Sequence, residues 1–331
     1  MTQQLPKEMQ AIEMSGPGGP DVLRLTTRPV PAPSAGEVLI KVAAAGVNGP
    51  DMMQRKGLYP PPPGATDLLG LEISGAVVAT GGAVSRWKVG DRVAALTNGG
   101  GYAEYCAVDA EHCLPLPSGI GLTDAASLPE TYFTVWSNVF IGARLAAGET
   151  FLVHGGAGGI GTTCIQLGKA FGAKVIATDS PALRCKICTD LGADRVVDYR
   201  EEDFVEVVRK AGGANVILDI VGGLNIEKNL KAATHDARII QLAFAQGSKV
   251  EINLMPVMLK RLTYTGSTLR TRPAAFKTRV ARELEEKVWP LIASGKIKPV
   301  VNATFALADA GKAHALMESS AHVGKIVLKL G

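Results

Sequence analysis

The run Gly155-Gly156-Ala157-Gly158-Gly159-Ile160-Gly161 follows the apolar segment ETFLVH and opens a segment of helix length. Gly156, Gly158 and Gly161 carry G-x-G-x-x-G spacing, a weak signal alone and a specific one between a strand and a helix. The missing side chains let backbone approach a pyrophosphate, while the helix amides and dipole face its charge. Without a ligand the same glycines would make only a tight turn. Asp179 ends the next apolar run, KVIATD, close to the position ~20 residues on where an acid binds an adenosine ribose hydroxyl. Taken alone, Asp179 predicts NADH. Ser180, Arg184 and Lys186 follow it and Tyr199 ends the third run, a set that suits a 2′-phosphate. Charge-assisted hydrogen bonds are worth ~1.5–3 kcal/mol each, so two cations and a hydroxyl are expected to outweigh one carboxylate that turns toward water. The expectation is NADPH, with NADH kept open by Asp179. A solvated helix face is the alternative for Arg184 and Lys186.

Other candidate chemistry is thinner. Five cysteines, an odd number in 331 residues, argue against a secreted disulfide framework. Cys185 and Cys188 have CxxC spacing, but no second pair supplies the remaining ligands of a structural zinc site, so packed thiols are expected. A net charge of +4 spread along the chain gives no basic stripe for nucleic acid. The polar start MTQQLPKEMQ and the lack of a long apolar run predict a soluble, cytoplasmic protein with no membrane partner.

The elements that must position these residues come in two rhythms. Hydrophobic residues at 47% and charged residues at 20% are ordinary globular values, and the length suits two domains. From about residue 9 to 130, short β-like runs (MQAIEM, DVLRLTTRPV, EVLIKVAAAGV, ISGAVVAT, DRVAAL, YAEYCAV) separated by turns predict a partly open antiparallel barrel. Tyr59 to Gly64 includes four consecutive prolines, which predict a stiff surface loop or lid. After residue 131, apolar runs alternate with helix-length segments such as Gly159 to Phe171. This predicts βαβ units and a six-stranded, doubly wound parallel sheet of the Rossmann type, making the fold class α/β. A helix-like stretch from Pro273 to Ser294 precedes ATFAL, ADAGKAHALMES and HVGKIVLKL, whose last strand is expected to rejoin the barrel. The expected domains are 1–130 with 272–331, and 131–271.

With these motifs the chain resembles the medium-chain dehydrogenase/reductase superfamily, specifically its zinc-free quinone oxidoreductase or zeta-crystallin-like branch. Within that branch it is most similar to the tumour-suppressor-inducible NADPH quinone oxidoreductase subgroup. The stretches that carry the resemblance are AAAGVNGPDMMQRKGLYPPPPGATDLLGLEISG, RWKVGDRVAAL, GGGYAEYCAV, LPETYFTVWSNVF, ETFLVHGGAGGIGTT, LGADRVVDYREEDF, MLKRLTYTGSTLRTR and HVGKIVLKL. It implies a GroES-like barrel beside the Rossmann domain. Zinc-dependent relatives carry a cysteine after the third strand and Gly-His-Glu, where this chain has Val47-Asn48 and Gly70-Leu71-Glu72. The four-cysteine lobe of a structural zinc is reduced to Cys106 and Cys113. No metal is therefore expected, and reduction of an electron-poor acceptor is favoured over alcohol oxidation.

The resemblance implies that Asn48 and Tyr59 lie near the nicotinamide and substrate and that Thr134 borders the nicotinamide ribose. Gly158, Gly159 and Ile160 would form the pyrophosphate turn, and Ser180, Arg184 and Tyr199 the NADPH phosphate pocket. Ala243, Phe244, Thr268, Leu269 and Arg270 would close over the nicotinamide half, Lys325 would give a C-terminal contact, and Glu72 would be a retained structural acid. Many subgroup members have small residues at Asp179, and close relatives often have a hydroxyl where Ala157-Gly158 stands.

The expected activity is metal-free hydride transfer from NADPH to a quinone, with Asn48 or Tyr59 meeting the charge gained by the acceptor. Reduction of an activated C=C bond in an enone, alkenal or enoyl thioester is the nearest alternative, and a crystallin-like or RNA-binding role a more distant one. A homodimer is expected through strands near Arg238 to Ala243 and Leu262 to Ser267.

Overall fold

The computed structural model describes residues 5–330. Their contacts separate into two units: one comprises the described residues through Phe133 and those from Arg270 on, and the other runs Thr134–Leu269.

In the first unit, strands β1 (Glu8–Met14) and β2 (Leu23–Pro29) form an antiparallel ribbon. Strands β3 (Glu37–Val47), β4 (Glu72–Thr80), β5 (Arg92–Leu96), β6 (Tyr105–Asp109) and β7 (Cys113–Pro115) follow, with β3 as the hub. β3 pairs antiparallel with β4 along one edge and with β6 along Glu37 to Lys41. Its interior position explains its run of buried Val, Leu, Ile and Ala.

The second unit is a parallel sheet of β8 (Thr150–His154), β9 (Lys174–Asp179), β10 (Arg195–Asp198), β11 (Ala214–Asp219), β12 (Ala233–Gln241) and β13 (Thr263–Gly266). The spatial order β10-β9-β8-β11-β12-β13 is that of a doubly wound dinucleotide fold. β8 is buried at every position, as a central parallel strand requires, and its terminal His154 is satisfied by Thr178 Oγ1 at 2.9 Å and Asn229 Oδ1 at 2.8 Å.

The chain then returns to the first unit as β14 (Val301–Ala306) and β15 (Lys325–Lys329), with β15 antiparallel to the end of β3 and Ile326 opposite Val47. The helix predicted from Pro273 to Ser294 is two helices, Ala274–Lys287 and Trp289–Ala293. Pro290 has no N–H to continue the first ladder, which accounts for the break. Pattern reading also passed over the helix Pro129–Val135, which runs into a π-helical segment, Trp136–Gly142.

Candidate functional site

Along the carboxyl edge of the second unit's sheet, the glycine turn leaves β8 and the helix Gly159–Ala170 starts after Gly158. A β-carbon on Gly161 would stand 2.2 Å from the Gly155 carbonyl oxygen, so the turn itself forbids a side chain there. Gly158 differs: its added β-carbon would meet only the Gly155 oxygen, at an ordinary 3.4 Å, and its φ is negative. Nothing in the protein demands glycine at Gly158, so the space it leaves is room for a ligand over the helix amides. Gly156 and Ala157 are buried, whereas Gly158, Gly159 and Ile160 keep access to that space. The turn fits a dinucleotide pyrophosphate.

Asp179 does not turn toward water. It is 3% exposed, and its carboxylate accepts from Ala157 N at 2.7 Å, Ser180 N at 2.8 Å, and Arg184 through Nε at 2.6 Å and Nη2 at 3.3 Å. The expected competition between a free carboxylate and a phosphate is therefore corrected: Asp179 braces the glycine turn and orients Arg184. The sequence placed these residues close together but carried no sign that the aspartate faces inward. Tyr199 follows Asp198, the residue paired with Asp179 across β10 and β9; its backbone N–H reaches Asp179 O at 3.3 Å and its side chain is exposed. Ser180, Arg184 and Tyr199 thus gather at one strand end. Lys186 does not join them, because its ammonium pairs with Asp190 at 2.6 Å on an exposed helix face. Cys185 and Cys188 are free thiols whose ionisation burial makes harder, that of Cys188 being pushed up to about 12.

Ala243 and Phe244 lie on the loop after β12, exposed, with Phe244 against Gly222 on the loop after β11. Both loops leave the same sheet edge as the glycine turn. Thr268 is exposed and Leu269 buried beyond the end of β13. Thr134 lies on the helix Pro129–Val135, where its carbonyl accepts from Asn138 Nδ2 at 2.8 Å.

In the first unit, Lys325 at the start of β15 is 4% exposed. Its ammonium meets Glu72 Oε1 at 2.6 Å, Val47 O at 3.1 Å, and Asn48 Oδ1. Asn48 Nδ2 donates to Glu72 Oε1 at 3.0 Å, and Glu72 Oε2 accepts from Glu130 N at 2.9 Å. Lys325 has all three N–H groups committed within the chain and braces Glu72 and Asn48, and the Asn48 amide is occupied at both ends. Glu72 is the buried structural acid expected of it. These are the positions at which zinc-dependent relatives carry their motif, and the donor set does not fit a zinc ion, because its one carboxylate already holds an ammonium.

Tyr59 is half-buried, with the Arg270 guanidinium 5.7 Å from its ring centroid. Burial and the Glu130 carboxyl raise the pKa of its phenol and Arg270 opposes them, so the hydroxyl stays protonated. Arg270 donates to Asn98 O at 2.5 Å and Gln54 Oε1 at 2.7 Å, and Lys277 to Asn98 Oδ1 at 2.7 Å and Arg270 O at 2.9 Å. Desolvation, with Glu72 beside it, pushes the Glu130 carboxyl up to about 8. Sequence reasoning missed Gln54, Asn98, Glu130 and Lys277, which share no motif and meet only through the fold.

The doubly wound sheet, its ligand-sized glycine turn and the strand-rich first unit together define a two-unit dinucleotide-dependent dehydrogenase/reductase. Residues 34–118 match the alcohol dehydrogenase GroES-like domain, and residues 191–328 match the family described as zinc-binding dehydrogenase. Quinone oxidoreductase of Rattus norvegicus is 33% identical over 98% of both chains. Two solved structures are similar throughout: Escherichia coli quinone oxidoreductase complexed with NADPH (31% identity, TM-score 0.86, 97% of this chain and 100% of that one) and CurK enoyl reductase (27%, 0.86, 98% and 100%). The chain belongs to the zinc-free quinone oxidoreductase branch of the medium-chain dehydrogenase/reductases, and it is an oxidoreductase.

Proposed function

We propose that this chain is a zinc-independent reductase that uses NADPH to reduce a quinone. The observation that carries the proposal is the Lys325–Glu72–Asn48 cluster: an ammonium occupies the carboxylate that a Lewis-acid alcohol chemistry would need. NADPH is supported by Arg184, held by Asp179 beside Ser180 and Tyr199, and by the NADPH complex of the similar Escherichia coli enzyme. When bound, the nicotinamide supplies the hydride.

The chain supplies position and electrostatics. The amides of the glycine turn hold the pyrophosphate, and Arg184 meets the ribose phosphate. With Asn48 held by Glu72 and Lys325, Tyr59 is the group that donates a hydrogen bond to the oxygen gaining charge. Such a donor contributes roughly 10²–10³ in rate. Water returns the proton to the reduced acceptor, and no covalent nucleophile is needed. A second reading, reduction of an activated C=C bond, is favoured by the similarity to CurK enoyl reductase.

Stopped-flow mixing of the protein with NADPH and 1,2-naphthoquinone, without added metal, should show oxidation of NADPH. A rate equal to the protein-free control refutes the proposal, and a parallel panel of enones ranks the two acceptor classes.

A further inference from the structure

The first unit contains a cavity of about 740 Å³ whose walls include Arg270, Arg272, Lys277, Asn98 and the proline loop at Pro62 and Pro63. Lys277 is 2% exposed and Arg270 5%, yet among the described residues neither has a carboxylate within ion-pair distance. Their hydrogen bonds go to neutral oxygens: Asn98 O, Asn98 Oδ1, Gln54 Oε1 and the Arg270 carbonyl. Arg272, exposed at the rim, lies with its guanidinium 4.1 Å from the Phe276 ring centroid and, among the described residues, likewise forms no ion pair. The helix Ala274–Lys287 begins at the wall, and its first turn adds positive potential.

The remaining charges form no ion pair with these cations among the described residues, although Asp109 and Glu130 act on Lys277, and Asp51 and Glu130 on Arg270, through space. Arg28 in the wall is paired to Glu13 and Asp67. Glu37 caps Ser34 N at 2.8 Å, and Asp109 caps Glu111 N at 2.9 Å with His112 3.9 Å away. Glu130, near enough to Lys277 to affect its titration, is largely uncharged at pH 7 because burial holds its carboxyl near 8. Burial also lowers the pKa of Lys277 and Arg270, as expected for cations without a counter-ion. A buried charge left unpaired costs several kcal/mol, and two beside a cavity gain that back only when an anion enters.

We infer that this cavity is a carboxylate-binding subsite, built by Lys277, Arg270 and Arg272, that takes an acidic substituent of the acceptor. Arg270 joins the subsite to the acceptor position, since the same guanidinium covers Tyr59. A planar carboxylate suits the pair, accepting from the arginine fork and the lysine together. The link to the acceptor rests on the reductase proposal; the carboxylate site does not.

The test uses benzoate, with benzamide as its uncharged isostere, titrated calorimetrically into the full chain with and without saturating NADP⁺. Benzoate should bind and benzamide should not. Lys277→Met should weaken benzoate at least tenfold and Lys277→Arg less than threefold, with melting temperatures confirming that both fold. Exposed Arg272→Ala, which leaves the core intact, should weaken it about threefold. In turnover, benzoate should compete with the quinone and not with NADPH. Equal binding of benzoate and benzamide, or full benzoate affinity in the Lys277→Met and Arg272→Ala variants, overturns the subsite. Binding without competition against the quinone overturns its assignment to the acceptor. If no acceptor turns over, the reductase proposal fails while calorimetry still decides the subsite.

Discussion

Replacing Asp179 by Asn tests whether this carboxylate is a brace or a gate. The buried side chain receives four hydrogen bonds, from Ala157 N, Ser180 N and two nitrogens of Arg184. Asn keeps one oxygen, so its NH₂ must face either the Ala157 amide or the Ser180 amide with Arg184 Nε. A buried N–H deprived of its acceptor costs about 1–3 kcal/mol, and loss of charge toward Arg184 about 1.5–3 kcal/mol more. A total of about 2.5–6 kcal/mol corresponds to a fall in melting temperature of roughly 4–9 °C for a chain of 331 residues. If about 1.4–2.8 kcal/mol of that is felt at the pyrophosphate turn, Kd rises about ten- to a hundredfold. The rise should affect NADPH and NADH alike, because both place a pyrophosphate on the turn. Arg184→Ala should instead weaken NADPH more than NADH, by about tenfold or more. Calorimetric titration of both cofactors into each variant decides the matter. Tighter NADPH binding by Asp179→Asn, with unchanged melting, would show a solvent-facing gate and refute the brace.

Other outcomes follow from the same contacts. Lys325→Met strands the buried Glu72 carboxylate and should cost about 3–5 kcal/mol, whereas Lys325→Met with Glu72→Gln should recover most of it; denaturant unfolding of both measures the difference. Glu130 has its pKa raised from 4.5 to about 8, so the folded state holds a proton that the unfolded state releases between those values. Its effect therefore lowers stability as pH rises through that window, by at most about 5 kcal/mol. Glu130→Gln should match the parent at pH 4.5 and melt higher at pH 8.5; equal melting at both would contradict the shift. Strand β13 is an exposed edge, and if it pairs with a second copy, sedimentation at micromolar concentration should show twice the 34.6 kDa chain mass.

Much of the second unit was legible because its signals are local. β8 reads as a continuous apolar run, the glycines follow within seven residues, and the helix starts at once. Asp179, Ser180 and Arg184 lie within one turn of each other, so their proximity was readable while the direction of the carboxylate was not. That direction depends on the Ala157 amide, 22 residues earlier. The break at Pro290 was marked by the proline itself, but the long apolar and charged pattern around it concealed it.

By itself the sequence determined the βαβ rhythm, the glycine turn between strand and helix, and the absence of the zinc motif's cysteine at Val47-Asn48 and of its histidine at Leu71, all properties of neighbours along the chain. Only the tertiary structure decided that Lys325 closes on Glu72 and Asn48, 253 and 277 positions earlier, and that Arg270 and Lys277 share Asn98 beside a cavity. A charge's role depends on its counter-charge and its access to water, and for these lysines and arginines both are set by strands and loops that the fold brings together from opposite ends of the chain.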